Sequence, residues 1–208
     1  MDKGKKPESY ESALNKAWES LKSLDPKKLA KNSGASYNQD KNEFTLFFMN
    51  DDHRINHLKK TVLGPDGNEV KPFLAVLLLH YLVYARDFDL DNKLITFREL
   101  VGGDVYYDAF VRRAIDPIKK FFGSNKEALR TAGKNIGAIE GDYGDISLII
   151  DVFPRISVTV ILWEGDEEIP PSSNMLFDAS IKKHLPTEDV AVIGGFVASA
   201  LIKSLKNP

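Results

Sequence analysis

The sequence contains no cysteine among its 208 residues. This absence excludes disulfide bonds, thiolate zinc sites and a cysteine nucleophile within the chain. It also excludes an iron–sulfur cluster that the chain would hold through its own cysteines. Any cluster associated with this protein would therefore have to belong to a partner.

An excess of basic residues is also missing. Lysine and arginine together number 28 and the acidic residues 30, which gives a formal net charge of −2. Proteins that bind nucleic acids usually carry a marked basic excess, because neutralising phosphates supplies most of their affinity. We therefore expect no nucleic-acid partner.

Long hydrophobic runs are missing as well. The two longest, at residues 73–85 and 190–202, are well short of the about 20 residues that a membrane span needs. The first residues, Met-Asp-Lys-Gly-Lys-Lys-Pro, are charged and do not resemble a secretory signal. We predict a cytoplasmic protein with no membrane partner.

The hydrophobic pattern predicts an α+β fold. Residues 72–86 are apolar nearly all round, which is typical of a buried central helix. The length favours a single domain over residues 1–208, with a peripheral N-terminal helical segment at 9–31. We predict a mostly antiparallel sheet packed by the central helix and by further helices. Strands are expected at 43–49, 60–63, 94–97, 145–152 and 156–164, and further helices at 107–122, 179–185 and 188–206.

The last two predicted strands favour one hairpin register, in which all the inward-facing pairs are apolar. These pairs are Ile146–Leu162, Leu148–Val160, Ile150–Val158 and Val152–Ile156. The register leaves a three-residue loop at 153–155.

The open end of this hairpin would gather carboxylates. Seven are expected there: Glu140, Asp142, Asp145, Glu164, Asp166, Glu167 and Glu168. Oxygen ligands suit Mg²⁺ and Ca²⁺, so one interpretation is a divalent-cation site. Its candidate ligands are Asp145, Glu164, Asp166 and Asp178, with Asp142 and Glu167 as further candidates. The other interpretation is a solvated acidic rim, which we favour because charge runs usually face water.

Three histidines and a glycine pair have alternative readings. His53 and His57, four residues apart, could ligate a metal, but no third ligand is evident and we favour an ordinary surface pair. His80 lies on the predicted central helix, where we expect a hydrogen-bonded core histidine; it is kept as a further site candidate. The pair Gly194-Gly195 matches no phosphate loop, so close helix packing is the better account.

Several sequence segments, taken together, resemble those of the domain-of-unknown-function family numbered 3786. They are Leu-Leu-Leu-His-Tyr-Leu (77–82), Ile-Thr-Phe-Arg-Glu-Leu (95–100) with Gly102-Gly103, Leu-Trp-Glu-Gly-Asp-Glu-Glu (162–168), Leu-Phe-Asp (176–178) and Thr-Glu-Asp (187–189). The family is largely one of anaerobic bacteria and archaea, and some members are joined to cysteine-rich iron–sulfur segments. The resemblance therefore implies a redox or corrinoid protein as partner. It brings no established activity, so no catalytic residue can be carried over.

Two functional hypotheses follow. The first is a non-catalytic accessory or binding domain that serves an anaerobic redox, iron–sulfur or corrinoid-linked one-carbon system. The second is a divalent-metal-dependent enzyme that uses the carboxylates at the hairpin end. Burial discriminates between them, because buried, converging carboxylates without basic partners would require a cation or raised pKa values, whereas exposed ones would not. We favour the first hypothesis.

Overall fold

A computed structural model describes residues 7–205, with side chains from Tyr10 onward. This part of the chain forms helices and strands in the α+β pattern that the sequence predicts. The helices are α1 (Pro7–Lys22), α2 (Pro26–Ser33), α3 (Pro72–Tyr84), α4 (Gly103–Phe110), α5 (Asp116–Phe122), α6 (Lys126–Asn135) and α7 (Thr187–Ser204). The strands are β1 (Ser36–Asn38), β2 (Glu43–Phe48), β3 (Asp51–Asn56), β4 (Thr61–Leu63), β5 (Leu94–Thr96), β6 (Ile139–Gly141), β7 (Ile146–Phe153), β8 (Ile156–Trp163) and β9 (Ser172–Asp178).

The strands form two antiparallel sheets where the sequence pattern predicted one. The first has the order β1-β2-β3-β4 and the second β5-β9-β8-β7-β6. The described residues divide into two compact units, each built around one sheet. Unit 1 comprises the residues up to Phe88 together with Lys183–Leu185, and unit 2 comprises the remainder. A single-domain organisation stays a prediction.

Unit 1 contains the predicted core helix, α3. It begins at Pro72 as expected and ends at Tyr84, two residues earlier than predicted. Four side chains on it are at most 1% exposed: Leu77, Leu78, Tyr81 and Leu82. The buried Tyr81 hydroxyl donates a hydrogen bond to the Ser33 carbonyl at 2.8 Å, which satisfies its polar group.

Strand β3 has no hydrophobic pattern of its own, so the sequence does not predict it. It follows β2 through a two-residue turn at Met49 and Asn50, both with positive φ, as in the tight turns that favour hairpins. The turn ends β2 one residue earlier than predicted. Pairing then places His53 opposite Leu46. Strand β3 therefore forms because it pairs with β2, although its own sequence has no strand pattern.

In unit 2 the structure confirms three of the four predicted hairpin pairs: Ile146–Leu162, Leu148–Val160 and Ile150–Val158. The fourth, Val152–Ile156, is wrong, because Phe153 pairs with Ile156 after a bulge. The bulge inserts one extra residue, so that Val152 and Phe153 are both buried and a two-residue turn replaces the expected three-residue loop.

The helices of unit 2 pack around aromatic residues. The helix predicted at 107–122 begins earlier, at Gly103, and contains a π-helical segment, Val111–Ile115, between α4 and α5. Pro117 follows this segment, and its lack of an N–H fits the changed hydrogen-bond pattern. The Phe110 ring stacks on Phe97 with centroids 4.2 Å apart.

No helix within residues 7–205 has the length and hydrophobicity that crossing a bilayer requires.

Candidate functional site

The fold brings two of the four candidate metal ligands together. Strand β8 ends at Trp163 beside the start of β7, so Asp145 and Glu164 lie at the same end of the sheet. The Glu164 N–H donates to Oδ2 of Asp145 at 2.8 Å. The hairpin register alone is sufficient to predict this proximity.

The Glu164 carboxylate is engaged at the start of α6. Its Oε1 accepts the Lys126 N–H at 3.0 Å, and its Oε2 lies 3.5 Å from the Lys126 ammonium. A carboxylate at a helix N-terminus is favoured by the helix dipole. Glu164 therefore has a structural role that needs no metal.

Asp166 also binds backbone amides. Its Oδ1 accepts the N–H groups of Ile169 and Glu168, at 2.7 and 2.8 Å. These hydrogen bonds hold the pKa of the Asp166 carboxyl below its ordinary value. The carboxylate thus fixes the turn between β8 and β9.

Asp178 is placed away from the other three candidates. It follows Phe177, which pairs with Val158, whereas the opposite end of β9 pairs Ser172 with Trp163. At about 3.3 Å per residue, five residues of strand separate the two ends by roughly 17 Å. Asp178 cannot share an ion with Asp145 and Glu164.

The Asp178 carboxylate is 8% exposed and joins two segments of unit 2. Its Oδ1 accepts the Asp91 N–H at 3.0 Å and the Ser180 N–H at 2.9 Å. Burial acts to raise the pKa of Asp178, but hydrogen bonds from Ser180, Asp91 and Lys93 outweigh it and lower that pKa below its ordinary value. The carboxylate is a buried anchor for the loop that precedes β5.

The other acidic residues at the hairpin end are mostly exposed. Glu140 binds Arg130, whose Nη2 lies 2.8 Å from its Oε1. Five carboxylates make no ion pair with any residue that the structure describes: Asp142, Asp145, Asp166, Glu167 and Glu168. Across residues 7–205 no group of three or more histidine or acidic side chains is placed to hold a metal ion.

Two aromatic rings lie at this acidic end and were not predicted as site residues. Trp163 is 42% exposed and Tyr143 is 47% exposed. The Tyr143 N–H donates to Oγ of Ser147, which pairs with Ile161 two residues before Trp163. Because alternate residues of a strand share a face, Ile161, Trp163 and Ser147 lie on one face of the sheet. The alternation of residues along β8 could have identified Trp163, because Trp163 does not belong to the face that carries the apolar hairpin pairs.

We call this region the acidic–aromatic surface. It consists of Trp163 and Tyr143 with the five unpaired carboxylates Asp142, Asp145, Asp166, Glu167 and Glu168. All five carboxylates are exposed, so water solvates them without a bound cation. The carboxylates therefore form an open, solvated surface.

The histidine pair differs from the predicted surface pair. His53 is buried on β3, and burial lowers its pKa below the ordinary value. His57 is half-buried beside the rings of Tyr37 and Phe44, with centroids 5.9 and 6.0 Å away. The surface interpretation is wrong because pairing of β3 with β2 turns His53 toward the buried face.

His80 is half-buried rather than fully buried, and it lines a cleft of about 270 Å³ in unit 1. Its ring packs edge-on against Tyr84, with centroids 5.6 Å apart. Across the cleft, α1 presents Ser12, Lys16 and Ser20. Their spacing of four residues places these polar groups on one helix face, a signal that the sequence already contains.

Comparison with known protein families agrees with the resemblance in the sequence. Residues 25–200 match the family model of the domain of unknown function DUF3786. The chain belongs to this family. The DUF3786 region contains the acidic–aromatic surface and His80, whereas Lys16 on α1 precedes it. No curated protein and no solved structure is significantly similar to the chain.

Proposed function

We propose that this DUF3786 protein is a non-catalytic accessory protein of the cytoplasm that binds a basic segment of a partner protein at the acidic–aromatic surface. The observation that carries the proposal is that five exposed carboxylates without an ion pair lie at the same end of the β7–β8 hairpin as the exposed rings of Trp163 and Tyr143.

The physical basis is charge complementarity combined with ring stacking. A field of one sign attracts oppositely charged partners and raises their association rate, with a strong dependence on salt. Arginine and lysine side chains also stack on tryptophan and tyrosine faces, at about 0.5–1 kcal/mol for exposed sites. Backbone hydrogen bonds to Asp145 and Asp166 hold part of this surface in place, which reduces the ordering that binding would require.

The resemblance noted in the sequence supports a redox or corrinoid protein as the partner. Since the chain has no cysteine, the partner would contribute any iron–sulfur cluster. The basic segment would then serve as the docking element of that partner.

Direct binding of a labelled peptide with six arginines tests the proposal, with fluorescence anisotropy as the readout. We expect saturable binding that weakens as salt rises, and no binding of a six-glutamate peptide. Trp163→Ala should weaken binding about two- to fivefold, the value of an exposed cation–π contact.

The matched control concerns charge alone. The double variant Glu167→Gln/Glu168→Gln removes two charges from the surface, and Asp51→Asn/Asp52→Asn removes two exposed charges from β3 in unit 1. Only the first should weaken peptide binding. Equal weakening by both would show that net charge, and not this surface, attracts the peptide. A partner from an anaerobic lysate should likewise be lost from the first variant and retained by the second.

A divalent-metal-dependent enzyme is the second candidate, and the position of Asp145 and Glu164 at one end of the hairpin favours it. A cation that binds the folded state would raise the melting temperature by an amount set by its concentration and affinity. Melting curves with Mg²⁺, Mn²⁺ and Ca²⁺ test this, with Glu164→Ala as the control. A rise that Glu164→Ala abolishes would support a metal site, and no rise with any of the ions would contradict it.

A further inference from the structure

The cleft between α1 and α3 gathers hydrogen-bond donors from two walls. Lys16 and Ser12 project from α1, and His80 and Tyr84 from α3. The hydroxyl of Ser20 at the same cleft already donates to the Lys16 carbonyl, at 3.0 Å. Four further side chains with N–H or O–H groups therefore line one small space, and none of them carries a negative charge.

The residues that line the cleft include one cation and no carboxylate, which favours an anion. The Lys16 ammonium makes no ion pair with any side chain that the structure describes. The nearby helical residue Glu19 is engaged elsewhere, because its Oε1 lies 3.2 Å from the Lys60 ammonium. The cation at the cleft is thus available to a ligand.

The size and shape of the cleft restrict the ligand. Small residues, Ala13 and Ala17, form part of the α1 wall and leave a space of about 270 Å³. This is below the roughly 300–1,000 Å³ of sites for drug-sized molecules. A compact anion with a short carbon skeleton fits such a space.

From this geometry we infer that the cleft binds the phosphate group of a small phosphorylated metabolite. Phosphate oxygens point in tetrahedral directions, so they can accept hydrogen bonds from both walls at once, whereas a carboxylate offers two oxygens in one plane. Lysine is a common phosphate ligand, as a point charge. This site lies in unit 1 and is independent of the acidic–aromatic surface in unit 2.

Titration of the full chain with inorganic phosphate, followed by NMR, tests this inference. Sodium chloride at equal ionic strength and pH is the reference, and sodium acetate is a separate arm. We expect saturable shifts of the Lys16 amide and the His80 ring with phosphate, and none with acetate.

A matched pair of variants locates the binding. Lys16→Gln should weaken phosphate binding about two- to fivefold, because Lys16 is exposed and exposed charge pairs contribute up to about 1 kcal/mol. Lys22→Gln, which removes the same charge from an exposed position of the same helix, should leave the affinity unchanged. Absence of saturable shifts, equal shifts with acetate, or unchanged affinity in Lys16→Gln would each overturn the inference.

Discussion

The two adjacent glycines of α7 provide a sensitive test of how unit 2 packs. Both lie inside the helix Thr187–Ser204, where replacing glycine by alanine stabilises a helix by about 0.8–1 kcal/mol. Their surroundings differ. A methyl group at Gly194 would lie 2.7 Å from Cε2 of Phe110 and 2.9 Å from Cβ of Ala114, whereas one at Gly195 would lie 3.6 Å from Cβ of Arg113.

The contact at Gly194 cannot relax easily. Carbon atoms attract best at about 3.5–4.0 Å, so the Phe110 ring would have to move by nearly 1 Å. That ring is fully buried and stacks on Phe97 with an interplanar angle of 6°. Overpacking of a dense core costs about 1–3 kcal/mol. We expect Gly194→Ala to be neutral or to destabilise by up to roughly 2 kcal/mol, after subtraction of the helix gain.

Gly195→Ala is the matched control, because it makes the same chemical change one residue along the same helix. It should stabilise by about 0.5–1 kcal/mol. Urea unfolding followed by far-UV circular dichroism measures both variants, and their free energies of unfolding should differ by about 0.5–3 kcal/mol, with Gly195→Ala the more stable. Equal stabilisation by both alanines would refute the close packing of α7 on α4.

Three further perturbations have defined outcomes. Leu78→Ala, at a fully buried position of α3, should cost about 2–5 kcal/mol in urea unfolding; a loss under about 1 kcal/mol would contradict its core position. Asp178→Ala should cost about 1–3 kcal/mol at pH 7, because two backbone N–H groups lose their acceptor. The folded-state pKa of Asp178 is lowered from its ordinary value of 3.8. The ionised carboxylate should therefore stabilise the fold above pH 3.8, and this stabilisation should be lost as the pH falls through the folded-state pKa. A destabilisation by Asp178→Ala that does not change with pH would refute this linkage. Because burial lowers the pKa of His53 from 6.5, the unfolded chain binds a proton more readily, so stability should decrease as the pH falls below 6.5. His53→Gln should reduce that decrease, and an unchanged pH profile between wild type and variant would count against the buried histidine as its source.

Local signals in the sequence were sufficient for several elements. At the two ends of α2, the Asp25 side chain accepts the Lys27 N–H and Gly34 adopts a positive φ, and both residue types are common at such positions. These groups interact within a few residues of one another, so no distant contact is needed to read them. The same holds for the apolar α3 and for most of the β7–β8 register, where three of the four predicted pairs form and a bulge changes the fourth.

The candidate site depended more on the tertiary structure. The hairpin register was sufficient to predict that Asp145 and Glu164 meet, but not that Lys126, 38 residues from Glu164, supplies the partner of that carboxylate. The placement of Asp178 was also beyond the pattern, because it follows from the pairing of β9 between β5 and β8.

The sequence by itself determined the α+β class, the central helix, the absence of cysteine chemistry and the family to which the chain belongs. Only the tertiary structure decided that there are two sheets, that His53 is buried and that His80 lines a cleft. The physical reason is the range of the interactions. Helix caps, turns and hydrophobic alternation act between near neighbours, whereas the burial of a polar side chain depends on elements far away in the chain, which no local pattern records.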